Sequence, residues 1–362
     1  MKEPKATDLT KLRKEIDTID HEIIRLLNER VRCACDIGRV KEQSGASVYD
    51  PAREEEVFQR LGSINPGPLD NAAIRAIYRE VISAARALQR KTAVGYLGPE
   101  ATYTHQAALK NFGGSAEFLS FATVPDVFQA VLRDDVDFGV VPIENSTQGT
   151  VIATLDMLVE SDLKIVAQIY LPILHCLISR SPLEEIREVH SKDNALGQCR
   201  QWLGRMLPAA ELVESASTAQ AVRHAAEHPG VAAIASRIAA DLYEVPVVKE
   251  NIQDKSENIT RFLVIGKQPT PRLREGRDKT SLVFTLLGDP GTLMRSISSF
   301  SSRGINMVKI ESRPSRQKLW DYLFFIDIVG HYEDAPVREA FEDLRRLCPF
   351  VKWLGSYPDV GL

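Results

Sequence analysis

LRKEIDTIDHEIIRLLNERVRCACDIGRVKEQ, residues 12–43, decides how the first part of this 362-residue chain folds. Its apolar residues recur at alternating spacings of three and four, which predicts one very long helix from Thr7 to Gln43. The same stripe carries three cations, Arg13, Arg30 and Lys41. A cation on a buried seam loses hydration and needs a counter-charge or an anionic ligand. The stripe therefore predicts a helix face that holds an anion.

Spacing along the helix divides these cations into two groups. Arg30 and Lys41 are 11 residues apart, roughly 16 Å along the axis, so both can reach one small dianion. Arg13 precedes Lys41 by 28 residues, roughly 42 Å, and can reach the same ligand only from another chain. So long a helix also favours packing on a second copy. A coiled-coil-like helix with solvated basic ends is the alternative interpretation.

Composition excludes several classes of partner. The formal net charge is -4 and no long basic run occurs, so we expect no nucleic acid to bind. No stretch of 18 apolar residues predicts a membrane span. The five cysteines are scattered, which is typical of reduced thiols. These features predict a cytoplasmic protein that has no membrane partner.

The pattern changes twice along the chain and predicts three units, residues 1–91, 92–273 and 274–362. The first is all helical, with further helices at Pro51–Leu61 and Leu69–Gln89. The second alternates short apolar runs with helical patterns, as α/β units do. The third has the order βαββαβ, which is the ferredoxin-like α+β arrangement. Its predicted strands and helices lie at 281–287, 292–302, 305–311, 319–329, 336–347 and 351–355.

More polar residues follow the basic stripe in the first unit. Asp50, Arg53 and Glu54 stand at the start of the second helix, and Gln89 stands near the end of the third. No nucleophile with an adjacent base accompanies them. Such a set suits a reaction that needs only charge complementarity and restraint of a flexible substrate.

The first unit resembles the all-α helical chorismate mutases. The matching segments are Leu12-Arg13, Asn28-Glu29-Arg30, Gly38-Arg39-Val40-Lys41, Asp50, Arg53-Glu54 and Gln89. The resemblance implies a Claisen rearrangement of chorismate to prephenate without a covalent enzyme intermediate. Where the family often has serine, this chain has Ala85.

Site roles in the first unit are also implied by this resemblance. Arg30 and a partner chain's Arg13 would hold the two carboxylates of chorismate, while Lys41 and Gln89 would donate to its ether oxygen. Glu54 would accept from the ring hydroxyl. Asp50 and Arg53 would shape the pocket.

The middle unit resembles prephenate dehydratase over its full length. The segments that carry the resemblance are 95–103, Pro142-Ile143-Glu144-Asn145-Ser146 and Thr260-Arg261-Phe262, with Ser191 and Gln198 in between. The resemblance implies two α/β lobes around a cleft, as in periplasmic binding proteins. It also implies conversion of prephenate to phenylpyruvate with loss of CO2 and water, with neither metal nor cofactor.

Thr260 would assist departure of the substrate hydroxyl, by analogy with the family, and Glu144 is a second candidate acid. Asn145, Ser191 and Gln198 would position carboxylates or the hydroxyl. Arg261 would anchor the retained carboxylate, or it would form a structural ion pair at the strand start.

The last unit resembles an ACT regulatory domain. The resemblance implies a phenylalanine site at an interface between two such domains. The residues expected to form it are Gly291, Thr292, Leu293, Met294, Glu311, Ser312, Arg313 and Pro314. Thr292 stands where the family more often has alanine.

Together these features predict a bifunctional enzyme of phenylalanine biosynthesis, a homodimer or higher homo-oligomer, that L-phenylalanine inhibits. Two alternatives stay open at this point. One is a dehydratase that acts on arogenate, with the mutase attached. The other is a phenylalanine-sensing binding protein with inactive lobes.

Overall fold

The computed structural model describes residues 6–43, 49–255, 257–273, 277–286, 288–314 and 322–361. The first unit consists of three helices, α1 (Ala6–Gln43), α2 (Pro51–Ile64) and α3 (Asn71–Gln89). Helix α2 continues three residues beyond the predicted Leu61 and stops before Pro66, because a proline disfavours helical backbone at the residue before it. No described helix is long and apolar enough to cross a membrane.

The middle unit alternates strands and helices, as predicted. In chain order they are β1 (Ala93–Leu97), α4 (Tyr103–Phe112), β2 (Glu117–Phe121), α5 (Val124–Leu132), β3 (Phe138–Asn145), β4 (Gly149–Thr150), α6 (Ile152–Glu160), β5 (Lys164–Pro172), β6 (Cys176–Ile178), β7 (Glu188–Ser191), α7 (Asp193–Gln198), α8 (Arg200–Met206), β8 (Glu211–Glu214), α9 (Thr218–Glu227), β9 (Val231–Ala235), α10 (Arg237–Leu242), β10 (Val247–Lys249) and β11 (Ile259–Gly266).

Two sheets divide this unit into two lobes. The first sheet has the order β2-β1-β3-β11-β5, with β4 paired to β3. The second has the order β10-β6-β9-β7-β8. The chain leaves the first sheet after β5 and returns to it as β11, so two crossing segments join the lobes. Residues at the ends of β3, β5 and β11 therefore lie beside the junction.

The C-terminal unit contains β12 (Asp278–Thr285), α11 (Thr292–Ser301), β13 (Met307–Pro314), β14 (Tyr322–Val329), α12 (Ala335–Leu347) and β15 (Val351–Pro358). The predicted order of strands and helices is confirmed, and the sheet order is β13-β14-β12-β15. Predicted strand residues Leu287 and 319–321 lie outside the described part of the chain.

The sheet of the C-terminal unit is covered on both faces. Leu282 and Phe284 of β12 pack with the helices of their own unit. Val283, between them, belongs to the core of the first lobe, together with Phe325 and Tyr357. Successive side chains of a strand point to opposite faces, so β12 is buried along its whole length. The C-terminal unit and the first lobe consequently share one hydrophobic core.

The helical unit docks on the first lobe through α3 and through Tyr49, two residues before α2. Tyr49 is buried among apolar residues of that lobe, and its hydroxyl accepts a 2.8 Å hydrogen bond from Asn111 Nδ2. Arg86 donates to the Phe112 carbonyl at 2.7 Å. In contrast, Ile16 and Ile23 of α1 are about half exposed, as are neighbouring apolar residues on this helix.

Candidate functional sites

Three predicted residues of the helical unit meet at one cavity of about 710 Å³, which also borders the first lobe. Lys41 Nζ lies 3.5 Å from Asp50 Oδ2, and the Asp50 side chain caps α2 by accepting from the Arg53 backbone N–H. Gln89 packs so closely on Gly38 that a methyl group at Gly38 would overlap its amide. The ends of α1 and α3 thus bring two side-chain donors, Lys41 and Gln89, to the same cavity.

Glu54 lies on α2, the helix that Asp50 caps, and has a partner that the sequence interpretation missed. Its Oε1 is 3.0 Å from the Arg86 guanidinium on α3. Burial raises the pKa of the Glu54 carboxyl, and Arg86 opposes that rise. The only sign of Arg86 in the sequence was its place as a basic residue in the last turn of α3. It stands 32 positions from Glu54, so no local pattern connects the two residues. Glu54 was predicted to accept from the ring hydroxyl of chorismate. One of its two carboxyl oxygens already contacts Arg86.

The other cations predicted for the mutase site, Arg13, Arg30 and Arg53, do not line this cavity. Arg53 pairs with Glu56 at 2.8 Å and is half exposed. Arg30 stacks over the Tyr78 ring at 5.6 Å. Arg13 lies on the exposed N-terminal half of α1, and the straight helix keeps it from Lys41 of the same chain. The structure therefore brings together only part of the predicted mutase set within one chain.

Asn145 is the centre of a polar network at the junction of the two lobes. It stands opposite Thr260 across the antiparallel pair β3 and β11. Asn145 Nδ2 donates to Thr260 Oγ1 and to Asn258 Oδ1, both at 2.8 Å. Its Oδ1 accepts from the Thr147 N–H and hydroxyl at 2.9 and 2.6 Å, and from the Gln148 N–H at 3.1 Å. The amide is thus held in one orientation by five contacts.

Gln198, from the second lobe, completes this network. Its Oε1 accepts from Asn258 Nδ2 at 2.9 Å and lies 2.7 Å from His175 Nε2, while its Nε2 donates to Thr147 Oγ1 at 3.1 Å. His175 Nδ1 is 2.9 Å from the Tyr103 hydroxyl. Burial lowers the pKa of His175, and the Gln198 contact opposes this.

Asn145, Gln198 and Thr260 were predicted from the sequence, and the structure places all three in this network. Four other side chains of the network were not predicted: Asn258, His175, Tyr103 and Thr147. Asn258 stands two residues before Thr260, and that proximity was the one available signal. His175 and Tyr103 join only because a crossing segment and helix α4 meet in the fold.

Ser191 requires a correction. It ends strand β7 inside the second lobe and is fully buried. Its hydroxyl donates to the Ile234 carbonyl at 2.6 Å, on the neighbouring strand β9. This contact supports the sheet and leaves the Ser191 proton unavailable for a substrate in the cleft.

Glu144 and Arg261 also require a correction. Each is the chain neighbour of a network residue, and side chains alternate along a strand, so both point to the opposite face from Asn145 and Thr260. Glu144 Oε2 lies 2.7 Å from Lys309 Nζ in the C-terminal unit. Arg261 pairs with buried Asp327 at 2.6 Å. The structure fits the alternative interpretation, in which Arg261 forms a structural ion pair, and Lys309 holds Glu144 on the face opposite the network.

The two predicted regulatory segments lie at one end of the C-terminal sheet. Strands β12 and β13 are both antiparallel to β14, so their C-terminal ends lie at the same end of the sheet. Gly291 there adopts φ +81° before α11, and Met294 is 70% exposed. Of the second segment, Ser312 and Pro314 are exposed, whereas Glu311 and Arg313 face the first lobe. Only half of that segment is open to a ligand.

Comparison with known proteins finds two family models along the chain. Residues 12–90 match the family "Chorismate mutase type II", and residues 94–270 match "Prephenate dehydratase". The bifunctional chorismate mutase/prephenate dehydratase of Aquifex aeolicus (strain VF5) is 45% identical over 359 residues, which cover 97% of this chain and 98% of that protein.

The chain belongs to the bifunctional chorismate mutase/prephenate dehydratase family.

Other members of this family support the assignment. The protein of the same description from Neisseria gonorrhoeae is 43% identical and covers 97% of both chains. Among solved structures, the prephenate dehydratase of Arthrobacter aurescens in complex with L-Phe is 34% identical, with a TM-score of 0.68, and covers 75% of this chain and 93% of its own. The prediction that both enzymes are joined in one chain is confirmed.

Proposed function

We propose that the helical unit converts chorismate to prephenate and that the two-lobed unit converts prephenate to phenylpyruvate, CO2 and water, under inhibition by L-phenylalanine. The observation that carries the second step is the contact between Asn145 and Thr260. A hydroxyl has one proton to donate. Because Thr260 Oγ1 already accepts from Asn145 Nδ2, its own proton is left to donate to a departing substrate hydroxyl.

The dehydratase step needs a proton at the leaving oxygen and electrons from the departing carboxylate. When the bond to the carboxylate breaks, its electron pair enters the ring and expels the hydroxyl, which leaves as water after protonation. The Thr260 hydrogen bond, strengthened by Asn145, stabilises the negative charge that develops on the leaving oxygen. The proton is drawn from the surrounding network or water, because threonine is too weak an acid to lose its own.

The mutase step needs no proton transfer. Lys41 and Gln89 would donate to the ether oxygen as the carbon–oxygen bond breaks and that oxygen gains negative charge. Arg30 and a partner chain's Arg13 would hold the two carboxylates and restrain chorismate in a reactive conformation. Asp50 orients Lys41 by their 3.5 Å contact and caps α2.

A homodimer follows from the same unit. The exposed apolar residues of α1 include Leu12, Ile16, Ile19 and Ile23, and they lie on the half of the helix that carries Arg13. A second copy of α1 would bury these side chains and bring its Arg13 toward the cavity. We also propose a cytoplasmic location, which the five unpaired cysteines support.

We assign the three domains to residues 1–91, 92–273 and 274–362. The middle domain would be like periplasmic binding proteins, since its two lobes are joined by two crossing segments. The last would be a ferredoxin-like ACT domain, supported by its sheet order β13-β14-β12-β15. Phenylalanine would bind at the end of the sheet where residues 291–294 lie near the exposed residues Ser312 and Pro314, against a second copy of the domain. The bound L-Phe of the Arthrobacter relative supports this ligand.

One assay tests both reactions. Purified protein is incubated with chorismate, and separately with prephenate, while chorismate and phenylpyruvate are measured. We expect chorismate to disappear and phenylpyruvate to form, and L-phenylalanine to slow the second step. Formation of prephenate without phenylpyruvate would contradict the dehydratase assignment. Faster turnover of arogenate than of prephenate would assign the other substrate.

A further inference from the structure

Strand β13 of the C-terminal unit presents two different faces. Lys309, Glu311 and Arg313 point to the first lobe and are half-buried or buried. Val308 and Ile310, which alternate with them along the strand, point the other way and are nearly half exposed. Because β13 is at the edge of its sheet, its outer face is open to a ligand or a second copy while its inner face touches the dehydratase.

The inner face contacts three consecutive pieces of the catalytic lobe. Lys309 Nζ lies 2.7 Å from Glu144 Oε2 on β3. Glu311 Oε2 accepts from the Thr150 hydroxyl on β4 at 2.7 Å. Glu144 and Thr150 are partners across the β3–β4 hairpin, so β13 holds both arms of that hairpin.

Arg313 extends the contact beyond the hairpin. Its guanidinium pairs with Asp156 of α6 and donates to the Ile152 carbonyl at 3.3 Å. The helix that follows the hairpin is therefore held by the same strand. The whole segment from β3 to α6 rests on alternate residues of β13.

The hairpin connects this contact to the catalytic network within one residue. Glu144 faces Lys309, and Asn145, the next residue, faces Thr260. Arg261, which follows Thr260, is tied in the same way to Asp327 of β14. Burial opposes ionisation of Asp327, but Arg261 and Ser281 hold the pKa of its carboxyl below the usual value.

Lys309 lies between two carboxyl groups of this contact. Its ammonium lies within 3.3 Å of both Glu144 and Glu311. Removing that charge leaves two carboxylates facing each other across the interface without a cation between them. We expect their repulsion to push the hairpin away from β13 and to tilt Asn145 relative to Thr260.

We propose that Lys309 is a positioning residue of the dehydratase. Through Glu144 it sets the contact between Asn145 and Thr260, and through β13 it links that contact to whatever binds the outer face of the strand. The second half of this inference rests on the proposed phenylalanine inhibition. The first half concerns the uninhibited reaction and stands independently of any ligand.

Lys309→Met in the full-length protein tests whether Lys309 positions the Asn145–Thr260 contact in the uninhibited reaction. We expect the dehydratase kcat to fall about tenfold with little change in KM, because the substrate is still bound while the group that acts on the leaving oxygen is displaced. Lys309→Arg restores the charge and should return most of the rate. The mutase rate of the same samples should be unchanged, which shows that the variants are folded.

Lys352→Met is the matched control. Lys352 crosses the same interface, where it donates to the Val159 and Ser161 carbonyls at 2.7 and 2.6 Å, but it does not touch the hairpin. General loosening of the interface would lower the dehydratase rate in both variants. Equal losses in Lys309→Met and Lys352→Met would overturn the proposal.

A double-mutant cycle identifies the path. If Lys309 acts through Glu144, Lys309→Met should cause no further loss in a Glu144→Gln background. Additive losses would contradict a path through Glu144, even if Lys309→Arg rescues the single variant.

Calorimetric titration with L-phenylalanine separates the inference from the proposed function. We expect Lys309→Met to bind L-phenylalanine as the wild type does but to lose most of its inhibition. If the wild type binds no L-phenylalanine, the proposed inhibition fails while the kcat test still decides the role of Lys309. Normal binding with full inhibition would show that Lys309 does not carry the signal.

Discussion

The mutase and dehydratase sites of this chain are built in opposite ways. The helical unit uses long side chains, most of them cations, and one chain brings only some of them together: Lys41 and the neutral Gln89 share a cavity, while Arg13 lies far along α1. The dehydratase uses short neutral side chains that already contact one another, such as Asn145 and Thr260. A site of long charges depends on its ligand and a second chain for order, whereas a site of short amides and hydroxyls is ordered by the strands beneath it.

The largest expected effect separates the two sites. Lys41→Ala removes the charged donor from the mutase cavity, and we expect the mutase rate to fall about 100-fold to 1,000-fold. The dehydratase rate with added prephenate should be unchanged, because Lys41 lies outside the polar network. Steady-state rates with chorismate and with prephenate measure this. Equal loss of both activities would mean a misfolded protein or one shared site.

Thr260→Val should produce the reverse pattern. The substitution keeps the shape of the side chain and removes the hydroxyl, so we expect the dehydratase kcat to fall about 100-fold. Thr260→Ser keeps the hydroxyl and should retain most activity. A Thr260→Val enzyme with the wild-type rate would remove this residue from the mechanism.

Asp327→Asn tests how strongly the C-terminal unit supports the dehydratase. It leaves Arg261 buried without a counter-charge, which should lower the free energy of unfolding by about 3 kcal/mol. Since the folded-state pKa of Asp327 is lowered, the pair stabilises the protein above about pH 4, the unfolded-state value, and this contribution is lost as the pH falls further. Urea unfolding measures the change. Glu339→Gln removes an exposed partner of Arg303 and should leave the midpoint where it is.

Subunit exchange gives the smallest expected effect and tests the incomplete mutase site. Arg13→Ala and Lys41→Ala should each be inactive as mutases. After mixing under conditions that exchange subunits, about a quarter of wild-type activity should return, because half of the dimers are hybrids with one intact site. Hybrids that form without regaining activity would show that Arg13 does not act across the interface.

The shared core also limits what truncation can reveal. Val283, Phe325 and Tyr357 of the C-terminal unit lie in the core of the first lobe. Cutting the chain near Pro269 would expose that core, so loss of activity would not distinguish regulation from unfolding. Single substitutions at the interface, such as Lys309→Met, are therefore the better test of communication between the units.

Local sequence was sufficient for the order and type of the secondary-structure elements. The three helices, the alternation of the middle unit and the βαββαβ order were predicted from periodicity and turn residues. For the helices and strands that were given bounds, the differences lie at their ends, as at α2, while several short strands of the middle unit, such as β2 and β8, were not predicted individually. Asn145, Thr260 and Gln198 were found because they stand in short segments that resemble a family. Asn258 and Tyr103 stand in or beside such segments but were not assigned a role, and no local pattern marks His175.

What the sequence by itself determined is which residues alternate along each strand and helix, because that depends on backbone geometry alone. It could not determine what each face meets. Glu144 was expected to act as an acid on the substrate, and Arg261 to anchor a substrate carboxylate or to form a structural ion pair. In the fold they pair with Lys309 and Asp327, 165 and 66 residues away in the sequence. Only tertiary structure decided this, since the partner of a charge depends on which distant surfaces pack together.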